Sequence, residues 1–275
     1  MSVSAARREH TPALTGLALL TMHEQRDARY DDAILKGVQT LLSMQREDGC
    51  FGGDDAFMLY NHGIAAVTLL RLHLQGTLPQ DVRQSVEQAI RFIRASQLAE
   101  GGWGYRPDDT AANVSVSAWQ LEALGLARHL GWDDSRGHLR RGLWWMTQLV
   151  DDSGIVGYQR EGGGTAVSRV TTTAQGIHCL LHAGEGIQGA QEPVAKMVQR
   201  LNEMLENPAI VETKNPYRDY FVAQALGTSP SAHIKALVKT NVRDGKLKGS
   251  WNAEDTYSKV GGRLCSTTFS SLALK

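Results

Sequence analysis

The feature that most constrains the fold of this 275-residue chain is an internal repeat with a period of about 50 residues. In each copy a polar amphipathic segment ends in a glycine-containing turn, and a more apolar segment follows. The clearest turns are at Gly49, Gly102 and Gly154, which are 53 and 52 residues apart, and another lies at Ser250, 96 residues further on. The last spacing is close to two periods and predicts a degenerate copy around 202–216. A fixed period of this length, with two helices per unit, is typical of helical repeat proteins.

The two helices of each unit differ in polarity. Before the second turn, apolar residues recur on one face of a helix, at Val82, Val86, Ala89, Ile90 and Ile93. After it, residues 114–127 leave no wide polar face, so that helix must be buried on several sides. The pattern predicts apolar inner helices near 11–24, 61–75, 113–129, 170–184, 217–227 and 264–274. It predicts amphipathic outer helices near 31–45, 80–97, 136–149, 190–206 and 230–242.

Six inner helices alternating with five outer ones predict an all-α fold. No linker, low-complexity tract or change in composition divides the chain, so residues 1–275 are expected to form a single domain. Periodicity alone is compatible with an open solenoid as well as with a closed ring of helices.

The turn residues themselves are interpreted as structural. Glycine allows backbone conformations that a side chain would forbid, a glutamine can bond the turn backbone, and the aromatic residue can pack on the outer helix. This interpretation covers the glutamines and tryptophans of the turns: Gln45, Gln97, Gln148, Trp103 and Trp251.

Composition excludes several classes of partner. The chain has 29 basic and 29 acidic residues and no long run of like charge, so a nucleic acid is not an expected partner. No run reaches the ~20 apolar residues that a membrane-spanning helix needs. Residues 11–24 are read as the first inner helix rather than as a signal peptide. Three cysteines without a metal-binding spacing favour a reducing compartment, and a cytoplasmic location is expected.

Several motifs resemble those of a known superfamily. Gln97 to Trp103 resembles the QW motif of squalene cyclases and protein prenyltransferase β subunits, and 108–111 resembles the acidic motif of the cyclases. The whole pattern is similar to bacterial prenyltransferase/squalene-oxidase repeat proteins, matched over 58–70, 101–127, 171–184, 215–226 and 249–274. The resemblance implies an (α/α)6 toroid of about five to six helix pairs, with a central cavity for an isoprenoid or similar apolar ligand.

A site in such a ring is expected at the N-terminal ends of the inner helices. Helix starts and the loops before them build the cavity mouth and carry unpaired N–H groups. An apolar chamber with a few polar groups is also how apolar ligands are held. The predicted ligand-binding residues are Tyr60, Asn113, Trp119, Arg169, Thr172, Tyr217, Tyr220, Arg263 and Cys265.

Three residues are candidates for catalysis. Class II terpene cyclases protonate their substrate with the middle Asp of an Asp-Xaa-Asp-Asp motif, and the resemblance puts Asp108 in that place, followed by Asp109. Arg106 replaces the first Asp, and a nearby guanidinium would favour the carboxylate over the acid. Asp109 could instead cap the following helix. His62 could act as an acid or base near neutral pH, or it could bond a neighbouring loop.

Neither a metal nor another cofactor is expected. The resemblance to protein prenyltransferases raises the question of a zinc site, but their Asp-Xaa-Cys ligand pair is absent from this sequence. Cys179 in its apolar segment is read as a small core residue.

Two functional hypotheses remain open from the sequence. The first is a toroid that binds, and in some form transforms, an isoprenoid-like apolar molecule. The second is a non-catalytic repeat scaffold whose partner is another protein. An open apolar chamber would favour the first hypothesis, and an interior filled by side chains would favour the second.

Overall fold

A computed structural model describes residues 8–76, 78, 82–132, 136–159, 166–185, 187–227 and 232–275. Within these residues the regular elements are all helical, apart from an isolated antiparallel bridge between Val150 and Val156. The helices are α1 (Thr11–Glu24), α2 (Asp31–Leu42), α3 (Met58–Leu74), α4 (Val82–Ala95), α5 (Val114–His129), α6 (Arg136–Thr147), α7 (Ala166–His178), α8 (Val194–Leu205), α9 (Pro208–Val211), α10 (Pro216–Leu226), α11 (Ala232–Lys239) and α12 (Thr256–Ala273).

The all-α prediction is confirmed, and the predicted helices agree with α1–α8 and α10–α12 to within a few residues at most ends. Two differences have local causes. The helix predicted at 264–274 begins at Thr256 and is kinked at Gly262, whose φ of 69° interrupts it just before the predicted start. The helix predicted to end at 184 changes at Cys179 into a π-helical turn that runs to Ala183. Residues 80–81 and 230–231 of the predicted outer helices lie outside the described residues.

Burial separates inner from outer helices as the polarity pattern predicts. The buried residues of α4 are the five apolar ones of its single stripe. In α3, by contrast, 13 of the 17 residues are buried, including polar Asn61, His62 and Thr68. None of the helices in the described part of the chain combines the length and apolarity needed to cross a bilayer.

The inner helices pack against one another in order. α1 lies against α3, α3 against α5, α5 against α7, α7 against α10, and α10 against α12. α12 in turn packs against α1, so the sequence of contacts returns to its first helix. The outer helices α2, α4, α6, α8 and α11 each contact a neighbouring inner element. The N-terminal ends of the inner helices therefore come from distant parts of the chain but lie near one another.

The degenerate copy is more regular than its sequence indicates. The Asn207-Pro208 and Asn215-Pro216 pairs predict an irregular loop, but each asparagine instead caps a helix. Asn207 accepts a hydrogen bond from the backbone N of Ala209, and Asn215 accepts one from the backbone N of Arg218. The one-turn helix α9 therefore fills part of the connection before α10.

The turns have the predicted structural role at Gln45, Gln97 and Trp103, whereas Gln148 is exposed and the structure shows no hydrogen bond from its side chain to its turn. The equivalent glycines are Gly49, Gly101, Gly154 and Gly249, all with positive φ, so Gly101 rather than Gly102 occupies the turn position. A Cβ on Gly101 would lie 2.7 Å from the carbonyl oxygen of Arg141. The indole of Trp103 donates to the Ile93 carbonyl of the outer helix at 2.7 Å, which confirms its packing role.

Candidate functional site

A cavity of about 260 Å³ opens at the N-terminal ends of the inner helices. Its wall is built by α1, α3, α10 and α12 together with two loop aromatics, Phe57 and Tyr105. The helical residues that line it are mostly apolar or aromatic: Ala13, Leu14, Leu17, Tyr60, Asn61, Ile64, Tyr217, Val260, Gly261, Cys265 and Phe269, together with His10 just before α1. This is the kind of lining that holds an apolar ligand.

The polar groups of this wall are already committed to the protein or are neutral. The amide of Asn61 donates to the Glu9 carbonyl at 2.8 Å, and its oxygen accepts from the backbone N of Ala13 at 3.4 Å. Burial raises the pKa of the Cys265 thiol to about 12 and raises the pKa of the Tyr60 phenol well above its usual range. Among the described residues that form the wall, none is Asp, Glu, Lys or Arg.

A cluster of aromatic side chains lies directly behind Tyr217 and Phe269. Trp119 stacks on Tyr220 with ring centres 5.8 Å apart, and Tyr220 contacts Phe269 at 5.5 Å. The indole of Trp119 donates to the phenol oxygen of Tyr217 at 3.3 Å, and Gln175 donates to the same oxygen at 2.8 Å. This cluster fixes the rings that face the cavity and fills the interior behind them.

The structure brings some of the predicted ligand-binding residues together and separates others. Tyr60, Tyr217 and Cys265 line the cavity. Trp119 and Tyr220 are fully buried in the supporting cluster and do not line it.

The remaining four predicted residues lie away from this wall. Asn113 caps α5 by accepting from the backbone N of Val116, and the hydroxyl of Thr172 donates to the Val156 carbonyl. Arg263 donates to the hydroxyl of Ser250, while Arg169 is exposed. These four residues lie near inner-helix starts, as the pattern predicts, but none of their side chains lines the cavity.

Asp108 and Asp109 are placed in the loop before α5 rather than in the cavity. The Asp108 side chain is 77% exposed and pairs with Arg106 at 3.2 Å, so it lacks the water-excluded setting that protonation of carbon requires. The carboxylate of Asp109 accepts from the backbone N of Tyr105 at 2.6 Å and of Arg106 at 3.1 Å. It therefore stabilises its own loop, and the helix-capping role proposed for it belongs to Asn113.

His62 is buried and uses both ring nitrogens within the protein. The backbone N of Phe51 donates to Nδ1, and Nε2 donates to the Ala89 carbonyl, both at 3.1 Å. This pattern defines the neutral ring, and burial lowers its pKa to about 4. His62 thus joins the first turn to α4, which matches the loop-bonding interpretation of this residue.

Sequence reasoning missed part of the cavity wall. Phe57 and Tyr105 lie in loops, and Leu14 and Phe269 occur within runs that look like ordinary core. Phe57 and Tyr105 are aromatic residues that lie just before or just after a turn, and this sequence pattern could have identified them. Their rings meet edge to face at 5.8 Å, and the phenol of Tyr105 also bonds that of Tyr158 at 2.5 Å.

The described residues contain no group of three or more His, Cys, Asp or Glu side chains arranged to hold a metal ion.

No protein-family model and no curated protein matches this sequence. A crystal structure of a protein from Actinoplanes is similar over 88% of this chain and 73% of that chain, with 18% identity and a TM-score of 0.57. At this level of identity the similarity shows a shared fold alone.

Proposed function

We propose that this chain is an (α/α)6 toroid of the prenyltransferase/squalene-oxidase repeat type. Two observations support the proposal. The inner helices contact one another in an order that returns from α12 to α1. The turns also repeat the same positive-φ glycine, and the glutamines of the first two bond their own turn, Gln45 to the Gly49 carbonyl and Gln97 to that of Gly101.

We infer that the toroid binds a small apolar molecule of the isoprenoid class in the cavity at the N-terminal ends of its inner helices. The observation that carries this inference is the composition of the wall, which is mostly apolar and aromatic and contains no Asp, Glu, Lys or Arg among its described residues. The volume of about 260 Å³ lies just below the ~300–1,000 Å³ of typical ligand pockets. It therefore fits a short isoprenoid better than a long polyprenyl chain.

The proposed activity is ligand binding. It does not include a cyclisation in which Asp108 or Asp109 acts as the acid. Asp108 is exposed to water and paired with Arg106, and Asp109 is bound to two backbone N–H groups. Neither side chain lines the cavity, so neither is placed to deliver a proton to a molecule bound there.

The proposal can be tested with limonene, a ten-carbon isoprenoid hydrocarbon, by saturation-transfer NMR. Ala13 lines the cavity, and Ala13→Phe places a ring in it, so we expect limonene binding to weaken at least tenfold. The matched control is Ala33→Phe on the exposed face of α2, which should bind limonene like the parent.

Limonene binding that is unchanged by Ala13→Phe would contradict the assignment of this cavity. Absence of binding to the parent itself would instead favour the alternative, a non-catalytic scaffold with a protein partner. Thermal melts of both variants establish that they are folded before the binding comparison is made.

A further inference from the structure

The cavity proposed to bind an isoprenoid is built by only some of the inner helices. Its helical wall comes from α1, α3, α10 and α12, and none of the wall residues that the structure describes belongs to α5 or α7. On the side of α7 the space is filled by Tyr217, whose phenol oxygen accepts from Gln175 of that helix at 2.8 Å. The side toward α5 is closed by loop residues instead.

Those loop residues are two tyrosines, Tyr105 and Tyr158. They occupy the same position of consecutive repeats, four residues after the positive-φ glycines Gly101 and Gly154. Their phenol oxygens are 2.5 Å apart, so one hydroxyl donates to the other. Tyr105 lines the cavity, whereas Tyr158 does not. The pair therefore joins the wall of the cavity to the loop of the next repeat.

Both tyrosines are held through their backbone by the starts of inner helices. The carbonyl of Tyr105 accepts from the backbone N of Leu59, in the first turn of α3, at 3.0 Å. The carbonyl of Tyr158 accepts from the backbone N of Val114, the first residue of α5, at 3.1 Å. The first N–H groups of a helix have no acceptor within the helix, and here the loops supply it. The phenol pair is thus fixed at the starts of α3 and α5.

The ring of Tyr105 is packed as well as bonded. It meets Phe57 edge to face with ring centres 5.8 Å apart, and its centre lies 5.9 Å from that of Tyr60. Both of these rings also line the cavity. Because Tyr105 is bonded at its hydroxyl and packed on two other rings, it has little freedom to move aside for a larger ligand.

Asp109 fixes the loop from which this ring projects. Oδ2 of its carboxylate accepts from the backbone N of Tyr105 at 2.6 Å and from that of Arg106 at 3.1 Å. A Cβ on Gly104 would lie 2.5 Å from the same oxygen, so the glycine leaves room for the carboxylate. The neighbouring Asp108 instead pairs with Arg106 through an exposed side chain. Of the two aspartates, Asp109 is the one that can act on the cavity.

We propose that Tyr105 is a specificity-determining residue of this cavity, whose ring closes the side toward α5 and sets the upper size of the ligand. Asp109 is a positioning residue that acts through Tyr105. The inference rests on the function proposed for the cavity and deepens it, since it names the size class of the ligand: ten-carbon isoprenoid hydrocarbons are bound in preference to fifteen-carbon ones.

Limonene and β-bisabolene are matched probes for this proposal. β-Bisabolene contains the limonene skeleton extended by one five-carbon unit, and both are neutral hydrocarbons. Their affinities are measured by saturation-transfer NMR titration, and the parent is expected to favour limonene. Tyr105→Ala removes the ring and opens the cavity toward α5, so the affinity ratio should shift toward β-bisabolene by about tenfold. A change that only destabilised the fold would weaken both probes and leave their ratio unchanged.

Variants of the two aspartates test the positioning role. Asp109→Ala should shift the ratio in the same direction by a smaller factor, about threefold, because the loop loses an acceptor but the ring remains. Asp109→Asn should restore the parent's ratio, since its amide oxygen can replace Oδ2 and both bonds go to that atom. The matched control is Asp108→Ala, which removes the exposed neighbouring carboxylate and should leave the ratio as in the parent.

Tyr105→Phe keeps the proposal testable if Tyr105→Ala does not fold. It removes only the hydroxyl that bonds Tyr158, which frees one end of the ring, so the ratio should shift toward β-bisabolene by about threefold.

The possible failures are distinguishable. A parent that binds neither probe would refute the isoprenoid function itself. If Ala13→Phe blocks limonene binding but the folded Tyr105 variants keep the parent's ratio, the role of Tyr105 alone is refuted. A ratio that shifts in Tyr105→Ala but not in Asp109→Ala would overturn the positioning role of Asp109.

Discussion

At the residue scale, two buried histidines behave differently because of what their ring nitrogens contact. His62 bonds the protein through both nitrogens and is closed to any ligand. His178 bonds Glu122 through one nitrogen and leaves the other unpaired beside a cavity. The same residue type therefore joins a turn to an outer helix in one case and pairs with a buried carboxylate in the other.

The neutral state of His62 predicts a pH-dependent stability. Its pKa is about 4 in the folded protein, below the ordinary 6.5, so the stability it provides is complete above pH 6.5 and is lost as the pH falls toward 4. The shift corresponds to about 3 kcal/mol. We expect His62→Asn, whose oxygen can still accept from Phe51, to lose much less free energy of unfolding over this range.

Urea unfolding of both proteins at pH 7 and pH 4.5 measures this difference. Carboxyl groups that titrate over the same range are common to both proteins, so the difference between them isolates His62. Parallel losses of stability in parent and variant would show that His62 is not the group responsible.

The site residues that could be predicted from the sequence differ from the others in the sequence pattern around them. Tyr60, Tyr217 and Cys265 could be predicted because they occur at the starts of apolar helices. Arg71 and Glu122 also left a signal, since each interrupts an apolar segment and the two are 51 residues apart, one repeat period. That spacing puts opposite charges at the same position of neighbouring inner helices.

At the element scale, each turn is bound to the inner helix that follows it by the same kind of bond. The backbone N of the residue two positions after the turn glycine donates to a side chain of the next inner helix. The pairs are Phe51 with His62, Trp103 with Ser117, Val156 with Thr173 and Trp251 with Thr267. The acceptor changes type and its separation varies from 11 to 17 residues, so the sequence repeat does not reveal it.

The turn glutamines are predicted to contribute unequally to stability. Nε2 of Gln97 donates to the Gly101 carbonyl at 2.7 Å and to the His138 carbonyl of the next outer helix at 2.9 Å. Gln148 precedes the next turn but lies six residues before Gly154, whereas Gln97 lies four residues before Gly101, and Gln148 is exposed. We expect Gln97→Ala to lower the free energy of unfolding by about 1–2 kcal/mol and Gln148→Ala to change it by less than about 0.5 kcal/mol.

Chemical denaturation of the two variants measures these changes. The matched substitution at Gln148 controls for the loss of a glutamine side chain as such. Equal costs at the two positions would mean that the hydrogen bonds of Gln97 do not provide the stability assigned to them.

At the scale of the whole molecule, polarity and period were enough to predict which helices lie inside. They could not locate the cavities, because these depend on which side chains meet across the interior. Phe269 and Tyr217 are 5.2 Å apart yet belong to different helices, and neither helix alone indicates whether the rings leave space or fill it. The central aromatic cluster fills part of the interior in which the sequence predicted a single chamber.

The contact of α12 with α1 provides the last prediction, which distinguishes a closed ring from an open solenoid. In an open solenoid, a chain ending at residue 255 would lose only the interface of α12 with its neighbour α10. In a closed ring, α1 also loses a packing partner, although it is at the other end of the sequence. Hydrogen–deuterium exchange should therefore be faster in both α1 and α10 of the truncated chain than in the parent. Changes in α5 should be smaller, because α5 does not contact the deleted segment extensively. Faster exchange in α10 with unchanged exchange in α1 would show that the ring is open in solution.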